Sequence, residues 1–377
     1  MEEANPIKNF SYVGLGRIIT IGLQAGFYLL LAALMDPEVY GELSVILALA
    51  ATFSTISLFG LNLSLQVYRA KNNIEISGQI ITLFIILTTI ASIILIPIDY
   101  VAAFLCASLS FFAMAQYDLL GLKQYKKYMI YSALKSGTFF VIPLLLFFVF
   151  DITGIVVGMA ISNLIGSVSF FKSLTVKKFF GLKNYYKVLV HNFGVFTGSA
   201  LPNMVDKLLI APLFGLFIVG IYQFNLQILI ALSILPGILS QYLVSEEASG
   251  VRHKKLSYLV VLSSIPIVGI AIILVPILVP ILYPNYTEGI ESLQIMIISI
   301  IPQSIGVIFS SKLLAKESTK IGFTAIVRIG SLLILLAILG QFYGLVGLAI
   351  AVLISLSANT LYLYVLYMTS TKQNTIH

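Results

Sequence analysis

Five charged residues stand inside runs that are otherwise apolar. Arg17, Lys135, Lys207 and Arg328 each lie within a long hydrophobic stretch, and Asp206 directly precedes Lys207 in LPNMVDKLLIAPLFG (201–215). A charge at the centre of a bilayer costs on the order of 2.5–3.5 kcal/mol on insertion scales, so such groups face a bundle interior or a water-filled cavity and mark a polar path. Three of the four cations lie within about 11 Å of a span end at ~1.5 Å per residue, where snorkelling to the interface is an alternative reading. Lys207 lies past the middle of its span, and an aspartate is too short to snorkel. The Asp206–Lys207 pair is therefore expected to face inward, lining a cavity or locking to polar residues of another helix.

Helical spacing extends this set. Arg17, Gln24 and Tyr28 share one face, as do Asn192, Ser199, Asn203 and Asp206. Tyr131, Lys135 and Thr138 form a stripe, and Thr324, Arg328 and Ser331 form another. Gln223, Gln227 and Gln303 add amides on neighbouring spans. Asp206 is expected to be the one acid within a span. The candidate cavity set is thus Arg17, Gln24, Lys135, Asn203, Asp206, Lys207 and Arg328. No catalytic or metal constellation accompanies it: the sequence has no G-x-x-x-x-G-K-[ST] loop, no H-E-x-x-H, and a single cysteine, Cys106. Its longest outer gap, YPNYTEG (283–289), is too short to carry an extracytoplasmic catalytic centre. The chain is not expected to be an enzyme, and no cofactor is expected, with a coupling Na+ or H+ at Asp206 as the open alternative.

The elements that must hold these residues are transmembrane helices. Of 377 residues, 59% are hydrophobic and 10% charged, far below the ~25% charge of a soluble domain. Twelve segments reach the roughly 20 apolar residues needed to cross a bilayer: 12–34, 41–61, 79–98, 100–119, 128–150, 152–171, 189–213, 216–243, 257–282, 290–311, 321–340 and 343–368. Single residues, Asp99 and Asp151, separate two of the pairs and predict tight turns. The acidic start MEEANPIKNF is unlike a cleavable signal and is expected to be retained. Apart from the four cations inside spans, the other 18 of the 22 Lys and Arg residues lie at the termini or in even-numbered gaps. The odd gaps and their edges carry only acids: Asp36, Glu38, Glu42, Asp99, Asp151, Glu288 and Glu291. The positive-inside rule then places both termini in the cytoplasm. The net charge of +7 is a topology signal and excludes a nucleic-acid partner; membrane lipids are the expected surroundings.

The chain also repeats itself. LLLAALMDPEVYG (29–41) matches the stretch ending IAPLFGLFIVG (210–220) at an offset of 179, pairing Gly41 with Gly220 and Gln24 with Asn203. KKYMIYSALKSG (126–137) matches TKIGFTAIVRIG (319–330) at an offset of 193, pairing Lys135 with Arg328. GMAISNLI (158–165) matches GLAIAVLI (347–354) at 189. Two six-helix lobes of the same orientation follow, 1–180 and 181–377, as in parallel-repeat transporters.

Three stretches resemble a known family. LAALMDPEVYGELSVILAL (31–49) is similar to the turn and second span of polysaccharide-exporting flippases, LPNMVDKLLIAPLFGLFIVGIYQFN (201–225) to their seventh span and following turn, and YGLVGLAIAVLI (343–354) to their last span. The chain resembles the Wzx-type oligosaccharide-lipid flippases of the multidrug/oligosaccharidyl-lipid/polysaccharide exporter superfamily. The resemblance implies an all-α integral membrane protein of twelve helices in two six-helix lobes. It implies flipping of a polyprenyl-pyrophosphate-linked oligosaccharide to the outer leaflet of the cell membrane, with glycan-assembly proteins as possible partners. It further implies a cationic cavity for the pyrophosphate, to which Arg17, Lys135, Lys207 and Arg328 are chemically suited. The alternatives are an ion-coupled multidrug or metabolite antiporter of the same superfamily and, against the short loops, a membrane enzyme of glycan assembly.

Overall fold

A computed structural model of the chain describes residues 6–174, 177, 192–193, 201, 204–234, 254–315 and 323–373. Asn203 and the side chain of Arg17 lie outside the described residues, as do Pro202, Ser199 and nearly all of the basic stretch 175–191. The described residues are helical and contain no strand. In chain order the helices are α1 (Pro6–Leu34), α2 (Pro37–Leu58), α3 (Leu61–Ala70), α4 (Ile74–Leu95), α5 (Tyr100–Gly121), α6 (Tyr125–Gly166) and α7 (Val168–Ser173). They continue with α8 (Val205–Phe214), α9 (Leu216–Leu232), α10 (Lys254–Leu282), a 3-10 turn (Pro284–Gly289), α11 (Ile290–Ile298), α12 (Ile300–Ala315) and α13 (Phe323–Gln373). Among the described residues seven helical stretches are long and apolar enough to cross a membrane, and Thr20–Leu34 and Leu216–Leu232 are shorter apolar helices. The outward side chains of α10 show the solvent they need: Ile265, Ile270, Ile273, Ile277 and Ile281 are all more than half exposed, a density of apolar surface that only lipid accommodates. The chain is a multi-pass membrane protein.

The helix breaks follow from local chemistry. Asp99 is extended and its carboxylate accepts from the N–H groups of Val101 and Ala102 at 2.8 Å, capping α5. The run α6 is two helices joined at Phe150 and Asp151, the latter at φ 49°, ψ −138°. The run α13 is likewise broken at Gly344, at φ 54°, ψ −133°. Asp151 and Gly344 are 193 residues apart and share one backbone conformation. Gly154 and Gly347, also 193 apart, each bring the returning helix against a carbonyl of the outgoing one, Leu146 and Leu339 respectively. The offset of 193 thus persists to the end of the repeat, which corrects the match drawn at 189. The predicted span 41–61 ends at a break beyond which a further helix follows, and 290–311 is broken within its length. Phe59 (φ 47°) and Gly60 (φ 68°) separate α2 from α3, and α11 gives way to α12 at Ser299 because Pro302 has no N–H for the carbonyl of Ile298. Pro266 and Pro276 are accommodated inside one continuous helix, α10.

By packing the chain forms two compact units, Met1–Phe27 with Val45–Val205, and Tyr28–Ser44 with Asp206–His377. The first is built on an apolar cluster of Leu58, Leu61, Leu65, Phe84, Met114 and Phe170. A buried ion pair closes its edge: Arg69 Nε donates to Asp118 Oδ1 at 2.6 Å, Ser173 Oγ donates to Asp118 Oδ2 at 2.9 Å, and Arg69 Nη2 donates to the Ser173 carbonyl at 3.2 Å. Asp118 is 2% exposed. Asp206 is therefore not the one acid within a span.

In the second unit, Tyr28–Ser44 packs on α9 and the 3-10 turn. Tyr286 Oη donates to the Met35 carbonyl at 3.2 Å, Asn285 Nδ2 donates to Asp36 Oδ1 at 2.7 Å, and Tyr40 meets Tyr286 edge-on at 6.1 Å. Two glycines make this approach possible. A Cβ on Gly41 would strike the Leu216 carbonyl, and a Cβ on Gly220 would strike the Pro37 carbonyl. Pro37 pairs with Leu216, and Gly41 with Gly220, at the repeat offset of 179. The two contacts are thus one contact made twice, as in a two-fold interface.

Gly41→Ala is expected to lower the thermal midpoint of the detergent-solubilised protein, at an overpacking cost of about 1–3 kcal/mol. Gly137→Ala, at a position with open space around it, leaves the midpoint unchanged or raises it. Asp151→Gly is expected to raise the midpoint by relieving a non-glycine residue at positive φ, worth about 1 kcal/mol; a lowered midpoint would contradict the strained turn.

Candidate functional site

The Asp206–Lys207 pair opens α8, where both side chains are buried, at 2% and 8% side-chain exposure. Lys207 Nζ donates to Asp206 Oδ1 at 3.1 Å, and the backbone N–H of Lys207 donates to the same oxygen at 2.8 Å. The other carboxylate oxygen, Oδ2, accepts from Tyr222 Oη at 3.0 Å. Tyr222 lies on α9 and is itself buried. Arg328, half-buried on the first arm of α13, interacts electrostatically with both Asp206 and Tyr222. Two helices of the second unit therefore bring one cation, one carboxylate and one phenol into contact, and Arg328 of a third acts on them electrostatically. A low dielectric strengthens every interaction within this cluster.

The structure thus unites three of the sequence-predicted residues, Asp206, Lys207 and Arg328. It treats the repeat partner of Arg328 differently. Lys135, in the first unit, is 3% exposed, and among the described residues it has no carboxylate at ion-pair distance. Its ammonium sits 4.0 Å from the Phe139 ring centroid and 5.4 Å from that of Phe112, contacts worth about 0.5–2 kcal/mol. It does not snorkel. Beside it runs a polar seam that joins α5, α6 and α1: Gln116 Nε2 donates to Ser132 Oγ at 2.8 Å, and Ser136 Oγ donates to Thr20 Oγ1 at 3.0 Å. That bond sets α1 against α6 one turn from the Arg17 backbone. Gln24 is half-buried on α1 of the same unit. Asn192, predicted to share a stripe with Asp206, donates instead to Ser64 Oγ at 2.8 Å within the first unit.

Sequence reading missed Tyr222, because a tyrosine in the apolar run LFIVGIYQFN carries no charge and stands on a different helix from its partner. The one available signal was its neighbour Gln223, which marks the same α9 stretch as polar. It also missed the Arg69–Asp118 pair, since one partner was assigned to a gap and the other to a span end. Among the described residues no group of His, Cys, Asp and Glu side chains is arranged to hold a metal ion.

Comparisons with known proteins follow the same lines. The polysaccharide biosynthesis protein family matches residues 7–115. No curated protein sequence matches the chain. Among solved structures, the lipid II flippase MurJ in an inward closed conformation superimposes with a TM-score of 0.74 at 16% identity, covering 97% of this chain and 87% of that one. An inward-facing multidrug resistance MATE family transporter of the MOP superfamily gives 0.67 at 13% identity, with 94% and 95% covered. A MATE protein in a bent conformation gives 0.61 at 14%, with 99% and 98% covered. The chain has the fold shared by MurJ and the MATE transporters of the MOP superfamily, and its residues 7–115 match the polysaccharide biosynthesis protein family.

Proposed function

We propose that this protein flips a polyprenyl-(pyro)phosphate-linked oligosaccharide from the cytoplasmic to the outer leaflet of the cell membrane by alternating access. In this reading it has twelve spans in two same-orientation lobes and both termini in the cytoplasm, and works beside the proteins that assemble the glycan. The observation that carries the reading is the cluster on α8 and α9, in which the buried Lys207 and Tyr222 donate to Asp206, with Arg328 of α13 interacting electrostatically. An anionic headgroup crossing a low-dielectric region needs fixed cationic partners of this kind. The family match over 7–115 and the likeness to a lipid II flippase support it. Arg17 and Lys135, in the first unit, are proposed as further cations for an anionic headgroup.

The likeness to MATE transporters favours one other reading, an ion-coupled multidrug or metabolite antiporter. Such a protein would use Asp206 to bind Na+ or H+. Here both oxygens of Asp206 are already engaged, one by Lys207 and one by Tyr222, and we assign the carboxylate to the cations rather than to a coupling ion.

In a deletion strain complemented with Arg17→Gln/Lys207→Gln, surface glycan is expected to be abolished while the protein remains in the membrane at its usual level. Normal glycan output from the double variant, or drug sensitivity of the deletion strain with intact glycan, would overturn the flippase reading.

A further inference from the structure

Asp206 is bound as a substrate anion would be bound. Its carboxylate takes an ammonium and a backbone N–H on one oxygen, a phenol hydroxyl on the other, and the field of a guanidinium nearby. A phosphate oxygen accepts from the same three kinds of side chain, and Arg and Lys prefer it for the same electrostatic reason. The cluster therefore already contains an anion, tethered to the chain at the residue next to one of its cations. Resting on the flippase reading above, we infer that the Asp206 carboxylate is an internal stand-in for the substrate's phosphate. With the site empty it holds Lys207, Tyr222 and Arg328 together. On loading, the phosphate takes these donors and the carboxylate gives way. On release it takes them back.

The physical need is clear from the charges. A buried cation without a counter-ion is costly, since removing one partner of a buried pair leaves an uncompensated charge. Lys207 and Arg328 would also hold a doubly charged headgroup too tightly to release. A tethered carboxylate offsets the first cost and lowers the affinity for the headgroup. It sets the exchange rate of the site and does not itself touch the sugar. Tyr222 fixes the position of Oδ2, so it belongs to the same device. A purely positioning role for Asp206 predicts the opposite response to its removal, because Lys207 would then lose its orientation and bind phosphate less well.

The test uses the full chain in nanodiscs and farnesyl pyrophosphate as the probe, with binding and glycan output measured together. Lys207→Gln is expected to weaken binding about ten-fold or more. Asp206→Asn is expected to tighten binding by about ten-fold while glycan output falls, because release slows. Asp206→Ser, which keeps an oxygen acceptor without the charge, moves both readouts in the same directions and serves if Asp206→Asn does not fold. Unchanged or weaker binding by a folded Asp206 variant, with wild-type binding that depends on Lys207, overturns the stand-in and leaves the flippase reading in place. Wild-type binding that is indifferent to Lys207, or absent in the wild type and the Asp206 variants alike, overturns both.

Discussion

A charge inside a bilayer has no water to turn to, and each buried ion of this protein must find its partner in the protein itself. Three solutions are visible. Arg69 and Asp118 pair directly and share Ser173 as a third member. Lys135 has no such carboxylate among the described residues and lies over two phenylalanine rings. Asp206 is shared between Lys207, Tyr222 and Arg328. The first is complete in itself and holds α3, α5 and α7 in place. The third gathers an ammonium, a phenol and a nearby guanidinium around one carboxylate, and that set of donors is what makes it the candidate for meeting an anion.

Much of this was legible in the sequence, for reasons specific to membranes. Continuous apolar runs have few alternatives to helix in lipid, so the all-helical, multi-pass character was readable from composition and run length, and Asp99 and Asp151 stood out as turns. What was not legible depended on packing across helices. A one-turn error in the repeat, 189 for 193, escaped notice because a shift of four residues keeps the same helical face and so nearly the same pattern. The turns at Asp151 and Gly344 fix the register, since a backbone conformation cannot slip as an apolar pattern can. Lys135 and Arg328 were equal in sequence and unequal in structure, because one lies against Phe139 a turn away and Phe112 of another helix, and the other near an acid of a different helix. The acid of the first unit, Asp118, was overlooked because its partner Arg69 lies on α3, a helix that the span count did not contain.

The repeat has a physical content beyond descent. Gly41 against Leu216 and Gly220 against Pro37 are reciprocal approaches of backbone to backbone, possible because neither glycine carries a Cβ. Tyr28–Ser44 is held in the second unit through this contact and through the bonds of Tyr286 and Asn285. The sequence shows the pairing of the glycines; only the fold shows that the paired positions touch each other's surroundings.

The one-residue turns within α6 and α13 bear on how the chain is made. At Asp151 and Gly344 the helix reverses with no polar loop to wait at the membrane surface, and Gly154 and Gly347 lock the returning arm against the outgoing one. Each pair of spans is therefore a single unit of insertion: neither arm has an independent polar end by which the translocation machinery could hold it on the far side. Losing one arm would leave the other without its stop and invert everything synthesised after it. The arm that carries Arg328 reaches its place in the second unit only together with the span that follows.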